Sequence, residues 1–418
     1  MSQYLDKPLL TDRMPRGIPF IIGNEVAERF SFYGMNAILY IFITRYLTGA
    51  DGEVMNVSPE EGTSIVHSFK TAAYFFPIIG AVIADVFLGK YRTIVTLSLL
   101  YCVGHAFLAM MDIAPMLGMS MEWWLYAGLI CIAMGAGAIK PCVSAHVGDQ
   151  FGSRNQHMLS RIFSWFYFSI NVGAATSTIL TPIFLEFVGP WLAFGVPGVL
   201  MAIATFVFWL GRHRFVHIPP AGWNKFKRET FSTEGSRAIP NLAPLFLLFI
   251  PMFWSLFDQT SSRWVEQAEH MNRTVSLGFI EFELLSSQIQ AANPFLILVL
   301  IPIFTYLIYP AISKVFPLTP LRKIGIGMFL TAVPFALAAY LQARIDGGES
   351  PVIAWQVLGY VLITSAEVMV SITSLEFAYT QAPKRMKSFI MGIYFLGVAL
   401  GNFFTTALLG DGLNGSGQ

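Results

Sequence analysis

The stretch Glu25-Val-Ala-Glu28-Arg29-Phe-Ser-Phe-Tyr33-Gly34 places three charged residues inside an apolar run that extends from about residue 18 to residue 46. An ionised side chain in the middle of a bilayer costs roughly 3 kcal/mol on insertion scales. Glu25, Glu28 and Arg29 share one helix face because they are spaced three and four residues apart. One arginine neutralises one carboxylate, so the other must bind a proton or contact a second cation. We interpret the stretch as a proton- or ion-coupling cluster, with a structural ion network as the alternative.

The composition indicates an all-α, polytopic membrane protein. Of the 418 residues, 55% are hydrophobic and only 12% are charged, whereas a typical soluble protein carries about 25% charged residues. Runs of about 20 mostly apolar residues predict spans near 18–47, 64–87, 93–111, 123–146, 160–186, 190–211, 241–270, 288–316, 321–342, 351–378 and 386–410. A formal net charge of +1 gives no reason to expect a nucleic-acid partner. The three cysteines show no metal-ligand spacing, so no metal site is expected.

A charged, proline-containing segment divides the predicted spans into six and five. It predicts an N-terminal six-helix bundle over 1–211, a cytoplasmic linker over 212–240 and a C-terminal bundle over 241–418. Halves of six helices are typical of the major facilitator fold, in which the substrate site lies near the midplane between the two bundles. Eleven spans are readable and a twelfth is missing, because the sequence after residue 410 is polar. Either the sequence is truncated or its C-terminus is external.

The distribution of basic residues predicts the orientation. Basic loop residues lie mostly on the side of the N-terminus, which is therefore expected to be cytoplasmic. Those residues are Lys7, Arg13, Arg16, Lys90, Arg92, Arg154, Arg161, Arg212, Arg214, Lys225, Lys227, Arg228, Arg237, Lys314, Arg322, Lys323, Lys384, Arg385 and Lys387. The opposite side carries Arg45, Arg263, Arg273 and Arg344.

Further ionisable residues lie inside the first-half spans. His67, Lys70 and Tyr74 share one face of the second span. Lys140 follows the small residues Gly135-Ala-Gly137, which permit close helix approach. We expect Lys140 to be the second cation of the acidic cluster, and the alternative is that it reaches the membrane interface.

The second half supplies mainly acids and amides. Asp258 lies deep in the seventh span, Asn293 precedes a proline in the eighth, and Glu367 lies in the tenth with Ser371 one turn later. Asn171, in the fifth span, could both donate and accept hydrogen bonds. Cations from one half and anions from the other would suit a ligand with a carboxylate at one end and an ammonium at the other.

The sequence gives no sign of ATP hydrolysis or enzyme catalysis. Gly80-Ala-Val-Ile-Ala-Asp85-Val-Phe-Leu-Gly89-Lys90-Tyr-Arg92 resembles the cytoplasmic loop motif of major facilitators, and it lacks the Ser or Thr that follows the lysine of a phosphate-binding loop. Neither His-Glu-x-x-His nor Gly-x-Ser-x-Gly occurs. A membrane enzyme or a non-transporting sensor is therefore the weaker reading.

Four motifs resemble those of the proton-dependent oligopeptide transporter family, and within it the mammalian-type peptide transporters. They are the first-helix stretch, Phe166-Tyr-Phe-Ser-Ile-Asn171-Val-Gly173, Phe257-Asp258-Gln259 with Ser262-Arg263-Trp264, and Leu375-Glu-Phe-Ala-Tyr-Thr-Gln-Ala-Pro383. The resemblance covers about residues 18–410. It implies a monomer in the cell membrane that imports di- and tripeptides with protons by alternating access, driven by the proton gradient without a cofactor. The alternative is a proton-coupled carrier of another zwitterionic or amine-bearing solute.

The resemblance also implies roles for individual residues. Glu25, Glu28, Arg29 and Lys140 would couple protonation to peptide binding, with His67 and Asp258 as further coupling residues. Glu367, Asn171 and Asn293 would hold the peptide amino end, and Tyr33 and Tyr74 would line the cavity.

Two positions depart from the family pattern. Asn36 stands where a basic residue usually pairs with the seventh-helix acid, and Tyr394 stands where a tryptophan often lines the pocket. We expect Lys70 to replace the missing cation. It would pair with Asp258 when the outer gate is closed and help to hold the peptide carboxylate when the gate is open. The alternative is that Lys70 reaches the external interface.

Overall fold

The computed structural model describes residues 4–230, 232, 240–276, 278, 281–381 and 387–410. Its eleven long helices are α1 (Ile18–Arg45), α2 (Pro59–Leu88), α3 (Lys90–Ala109), α4 (Met121–Asp149), α5 (Leu159–Phe187), α6 (Pro190–Leu210), α7 (Pro240–Glu269), α8 (Ser286–Ser313), α9 (Pro320–Asp346), α10 (354–381) and α11 (Lys387–Gly410). A short linker helix occupies Trp223–Thr230, and the strands β1 (Thr274–Ser276) and β2 (Glu281–Glu283) pair antiparallel. Arg237, Lys384 and Arg385, which entered the orientation argument, lie outside the described residues, as does the polar end after residue 410.

The helices match the eleven predicted spans. In the described part of the chain, ten of them are long and apolar enough to cross a membrane. The remaining long helix, α1, is the one that carries the three-charge cluster. Hydropathy therefore predicts the helices well, whereas the linker helix and the hairpin carry no apolar run and were not predicted.

Local sequence determines where several helices begin. The side chain of Ser58 accepts a hydrogen bond from the backbone N–H of Glu61, and Thr319 caps α9 in the same way through Arg322. A proline follows each cap at the first helical position, where its missing N–H has no partner to lose. Between α2 and α3 the chain turns on Gly89, whose φ of 76° suits a residue without a Cβ.

Small residues set the closest helix crossings. A Cβ added at Gly137 or at Gly80 on the α2–α4 contact would collide with backbone atoms of Ala73 or Ala138. The predicted close approach at the glycines before Lys140 is confirmed. Between the halves, α2 packs along α11, and this contact is the longest one between the two bundles.

The two halves are joined at one end of the bundle. We call the end where α1 ends and α2 begins the distal face, and the opposite end the proximal face. At the distal face Arg45 pairs with Glu269, and Arg263 Nη2 lies 2.8 Å from Glu60 Oε1. Gln290 also donates to the carbonyl oxygen of Ala37 at 3.0 Å. At the proximal face, no described ion pair or side-chain hydrogen bond joins helices of the two halves.

Four described helices contain a π-helical turn. The turns occupy Ile83–Leu88 in α2, Leu245–Phe249 in α7, Phe304–Ile308 in α8 and Val368–Ile372 in α10. All four lie in the proximal halves of their helices. A π turn shifts the backbone hydrogen-bond register by one residue and is frequent at functional sites.

Candidate functional site

The acidic cluster of α1 is a buried three-residue unit. Arg29 Nε lies 2.9 Å from Glu25 Oε1 and 2.5 Å from Glu28 Oε2. Gly173 of α5 brings its backbone against Arg29 and shields the cluster from that side. One guanidinium therefore contacts both carboxylates in this conformation, and the expectation that one of them binds a proton or a second cation stays a prediction. The cluster still carries one carboxylate more than it has cations.

Lys140 lies among aromatic rings. Its Nζ is 3.9 Å from the ring centroid of Phe32 and 4.4 Å from that of Tyr74. No described carboxylate lies within ion-pair distance of Nζ, although Glu25, Glu28 and Asp258 are near enough to interact with it electrostatically. Two cation–π contacts hold the ammonium between α1 and α2. The alternative that Lys140 reaches the interface is therefore wrong, and its role as the second cation of the acidic cluster stays a prediction.

Lys70 forms the ion pair that the sequence predicted. Its Nζ lies 2.7 Å from Asp258 Oδ1 and 2.6 Å from Ser261 Oγ. Both charged side chains are buried, so the pair is shielded from solvent. The pairing of Lys70 with Asp258 is confirmed, and the alternative that Lys70 reaches the external interface is wrong. The pair joins α2 of the first half to α7 of the second.

His67 extends this connection to α11. Its Nδ1 lies 2.8 Å from Asn402 Oδ1, and its Nε2 lies 3.2 Å from Ser262 Oγ. Asn402 in turn donates to Asp258 Oδ2 at 2.7 Å. The five residues Lys70, Asp258, His67, Asn402 and Ser262 therefore form one buried network, which we call the distal lock. Both partners of His67 can accept a hydrogen bond, so the network accommodates either the neutral or the protonated ring.

The distal lock forms the roof of a cavity of about 190 Å³ between the two halves. Its lining includes seven predicted site residues: Tyr33, Asn36, Lys70, Asn171, Asp258, Asn293 and Glu367. Three of these are charged, and Lys70 and Asp258 neutralise each other. Glu367 is the one charge left without an ion-pair partner among the described lining residues.

Glu367 is oriented by an amide. Asn293 Nδ2 donates to Glu367 Oε2 at 2.7 Å and to Thr364 Oγ1 at 3.1 Å. The hydrogen bond fixes one carboxylate oxygen and leaves the other available to a ligand. Asn171 faces the same cavity but donates to the carbonyl oxygen of Tyr167 in its own helix. The buried Oδ1 of Asn36 accepts no hydrogen bond from the described residues.

Four other predicted binding residues lie outside this lining. Ser371 Oγ is 3.4 Å from the hydroxyl oxygen of Tyr394, whose ring packs edge-on against Phe395. Tyr74 stacks against Phe395 and contacts Lys140. These residues therefore form a second, aromatic layer in this conformation, and their role in substrate binding stays a prediction.

The sequence analysis missed three polar residues of the site. Asn402 and Ser261 bind Asp258 and Lys70 directly, and Gln290 lines the cavity while donating to α1. The one sequence clue for Asn402 was an amide within an apolar span.

Comparison with known proteins gives one consistent family. The family model described as POT family matches residues 91–234 and 223–410. Solute carrier family 15 member 2 of Rattus norvegicus is 38% identical over 402 residues, which are 86% of this chain and 53% of that protein. Peptide transporter family 1 of Drosophila melanogaster is 38% identical over 370 residues, covering 79% of this chain and 48% of that protein. The chain thus spans about half the length of these curated relatives.

Solved structures agree with the sequence comparison. A crystal structure of an auto-inhibited POT family peptide transporter superposes with a TM-score of 0.85 at 35% identity, covering 96% of this chain and 90% of the other. The POT family transporter PepTSo superposes with a TM-score of 0.81 at 34% identity, covering 97% and 93% of the two chains.

Proposed function

Because the chain belongs to the POT family, we propose that it carries di- and tripeptides together with protons across the plasma membrane by alternating access. Relatives that match this chain are named peptide transporters or solute carriers, which supports transport and argues against an enzyme. The distal face would be extracellular and the N-terminus cytoplasmic, in accord with the basic loop residues. The two halves, 1–211 and 241–418, would move against each other as a monomer, joined by the 212–240 linker.

The observation that carries this proposal is the unpaired carboxylate of Glu367 in the cavity between the halves. A buried carboxylate is stabilised by a cation, and the ammonium group of a peptide would supply one. Asn293 holds Glu367 in place by a hydrogen bond, and Asn171 lies in the same lining. The amino end of the peptide would therefore bind at Glu367.

The carboxylate end of the peptide would be bound by a lysine. The ammonium of Lys140 forms no ion pair or hydrogen bond with the described residues, so it can bind an anion between Tyr74 and Phe32. Lys70 is occupied by Asp258 in this conformation and would become available only when the distal lock opens. Tyr33 and Asn36 would line the peptide between its two ends, with Ser371 and Tyr394 below.

Proton coupling would reside in the α1 cluster. Glu25 and Glu28 share a single guanidinium, so the buried cluster has one negative charge in excess. Binding one proton removes this excess and also removes one attraction that acts on Lys140. Protonation would in this way change how firmly Lys140 is held and thus its affinity for the peptide carboxylate.

The distal lock would couple protons to gating. A proton on His67 adds a second cation close to Lys70, and the repulsion between the two cations opposes the position that Lys70 takes at Asp258. The Lys70–Asp258 pair is then weaker and the extracellular gate opens more easily.

The direct test is uptake of a labelled dipeptide into liposomes with an imposed inward proton gradient. We expect uptake to exceed that without a gradient and unlabelled dipeptides to compete. N-acetylated dipeptides should compete poorly because they lack the ammonium for Glu367. Equal uptake with and without the gradient, or equal competition by N-acetylated peptides, would contradict the proposal.

A second candidate is transport of another amine-bearing solute. The cavity lining favours it: Asn36 stands where family members usually have a basic residue, and Lys70 is neutralised by Asp258. Among the described lining residues, Glu367 alone is then left to select a charged group on the substrate, and it selects a cation. Strong competition by simple amines, with weak competition by dipeptides, would select this function over the first.

A further inference from the structure

A second cavity lies between α2 and α4, away from the peptide site. The two helices cross closely where Gly137 meets Ala73, and on the distal side of that crossing a cavity lies between them. The resulting wedge-shaped cavity has a volume of about 360 Å³, within the range of roughly 300–1,000 Å³ of small-molecule sites. We call it the wedge.

The wedge opens to the outside of the bundle. It is lined by Glu61, Ser64, Ile65, Ser68, Phe69, Ala72, Tyr126, Leu129 and Ile130. Ser68, Tyr126 and Ile130 are exposed, so the cavity opens on the lipid-facing surface. Its α2 residues lie on the opposite side of the helix from His67, Lys70 and Tyr74, because helix positions are 100° apart. The wedge is therefore separate from the central cavity.

The wedge changes from polar at its mouth to apolar at its base. Glu61 lies in the first turn of α2, and Tyr126 on α4 interacts with both Glu61 and Glu122. Phe69, Ala72 and Leu129 form the deep end, about 15–20 Å below the start of α2 at 1.5 Å per residue. Of the described lining residues, one is acidic and none is basic.

This arrangement matches a molecule with a positive head and a hydrocarbon tail. We propose that the wedge binds a single-chain aliphatic primary amine from the bilayer, with its ammonium group at Glu61 and Glu122 and its chain along Phe69 and Leu129. The acidic mouth disfavours anionic amphiphiles. A neutral alcohol of equal length would fill the base without engaging the carboxylates.

The test uses a photoreactive dodecylamine with the full chain in phosphatidylcholine nanodiscs. We expect cross-linked peptides from 61–72 and 126–130. Unlabelled dodecylamine should abolish labelling, whereas dodecanol should need at least a tenfold higher concentration. An excess of dipeptide should leave labelling unchanged, because the peptide cavity is on the other side of α2. Equal displacement by amine and alcohol, or displacement by dipeptide, would overturn the proposal.

Three variants sharpen the test. Glu61→Gln should weaken amine labelling at least tenfold, and Glu53→Gln, which removes an exposed acid from the preceding loop, should not change it. Ile130→Trp should block the wedge from its exposed side without altering packing inside the bundle. The thermal unfolding midpoint without amine identifies folded variants. If folded Glu61→Gln and Ile130→Trp both label like the parent, the wedge is not the binding site.

Discussion

Replacing Lys70 by alanine should open the distal face of the molecule. The substitution removes the cation 2.7 Å from Asp258 and leaves a buried carboxylate without an ion pair. Breaking a buried pair in this way costs about 3–5 kcal/mol. Asn402 still donates to the other carboxylate oxygen, so we take the lower end, about 3 kcal/mol.

The stabilisation lost with the Lys70–Asp258 pair applies only to the distally closed conformation. The pair joins α2 to α7 and can exist only while the distal ends of the halves are together. Losing about 3 kcal/mol from that state changes the ratio of distally closed to distally open molecules by roughly a hundredfold. The Michaelis constant for peptide should rise as well, since Lys70 would otherwise help to hold the peptide carboxylate in the open state.

Distances between spin labels measure this shift directly. Labels at Asp51→Cys and Ser350→Cys, which lie in distal loops of the two halves, should separate in the Lys70→Ala protein. Adding Asp258→Asn to Lys70→Ala should return the short distance, because removing both charges leaves no uncompensated one. Arg263→Gln removes the half-exposed ion pair with Glu60. It should change the free-energy difference between the distally closed and distally open states by about 1 kcal/mol or less.

Adding Asn36→Arg to Lys70→Ala tests the relocation of the cation. Asn36 and Asp258 line the same cavity, so an arginine at this position can supply the missing positive charge. We expect the double variant to recover the short distance and a low Michaelis constant. An unchanged distance distribution in Lys70→Ala, or no recovery on adding Asn36→Arg, would refute the reasoning.

Further predictions concern coupling, substrate recognition and packing. Glu28→Gln or Lys140→Ala should abolish gradient-driven uptake and retain peptide counterflow, which needs no net proton movement; full gradient-driven uptake in both would disprove the coupling assignment. Glu367→Gln should weaken the binding of free-amine dipeptides by roughly 2–5 kcal/mol, measured by competition. The control variant Glu376→Gln, on the exposed side of the same helix, should bind these dipeptides as the parent does. Gly137→Val should lower the free energy of unfolding by about 1–3 kcal/mol, because the larger side chain collides with the Ala73 backbone, and this should appear as a lower thermal unfolding midpoint. An unchanged midpoint would mean that α2 and α4 can move apart at this crossing without loss of stability.

The sequence predicted the helices and the charged pairs better than it predicted the contacts of the coupling cluster. Lys70 and Asp258 could be paired because each is an ionised group that needs an opposite charge in an apolar surrounding. Lys140 was assigned to the acids by the same reasoning, but the guanidinium of Arg29 already contacts both carboxylates. Which of two cations reaches an acid depends on side-chain geometry, which spacing along the helix does not give.

Uncharged residues of the site were harder to predict. Asn402 is one amide in an apolar helix, and only the packing of α11 against α2 reveals that it bridges His67 and Asp258. Ser371 follows Glu367 by one helical turn and Tyr394 is tied to the pocket by resemblance, yet both lie in the aromatic layer outside the cavity lining. A cavity formed between two bundles depends on their relative position, and the sequence does not specify which conformation is populated.

The π turns give the two ends of the helical bundle different mechanical properties. The distal ends of the two halves are held together by individual ion pairs and hydrogen bonds, so they are either closed with these contacts formed or open with them broken. The proximal halves of α2, α7, α8 and α10 each contain a turn in which the backbone register is offset, and such turns are common sites of helix bending. The proximal opening between the halves would therefore narrow by gradual curvature of these helices, while the distal opening closes in a single step.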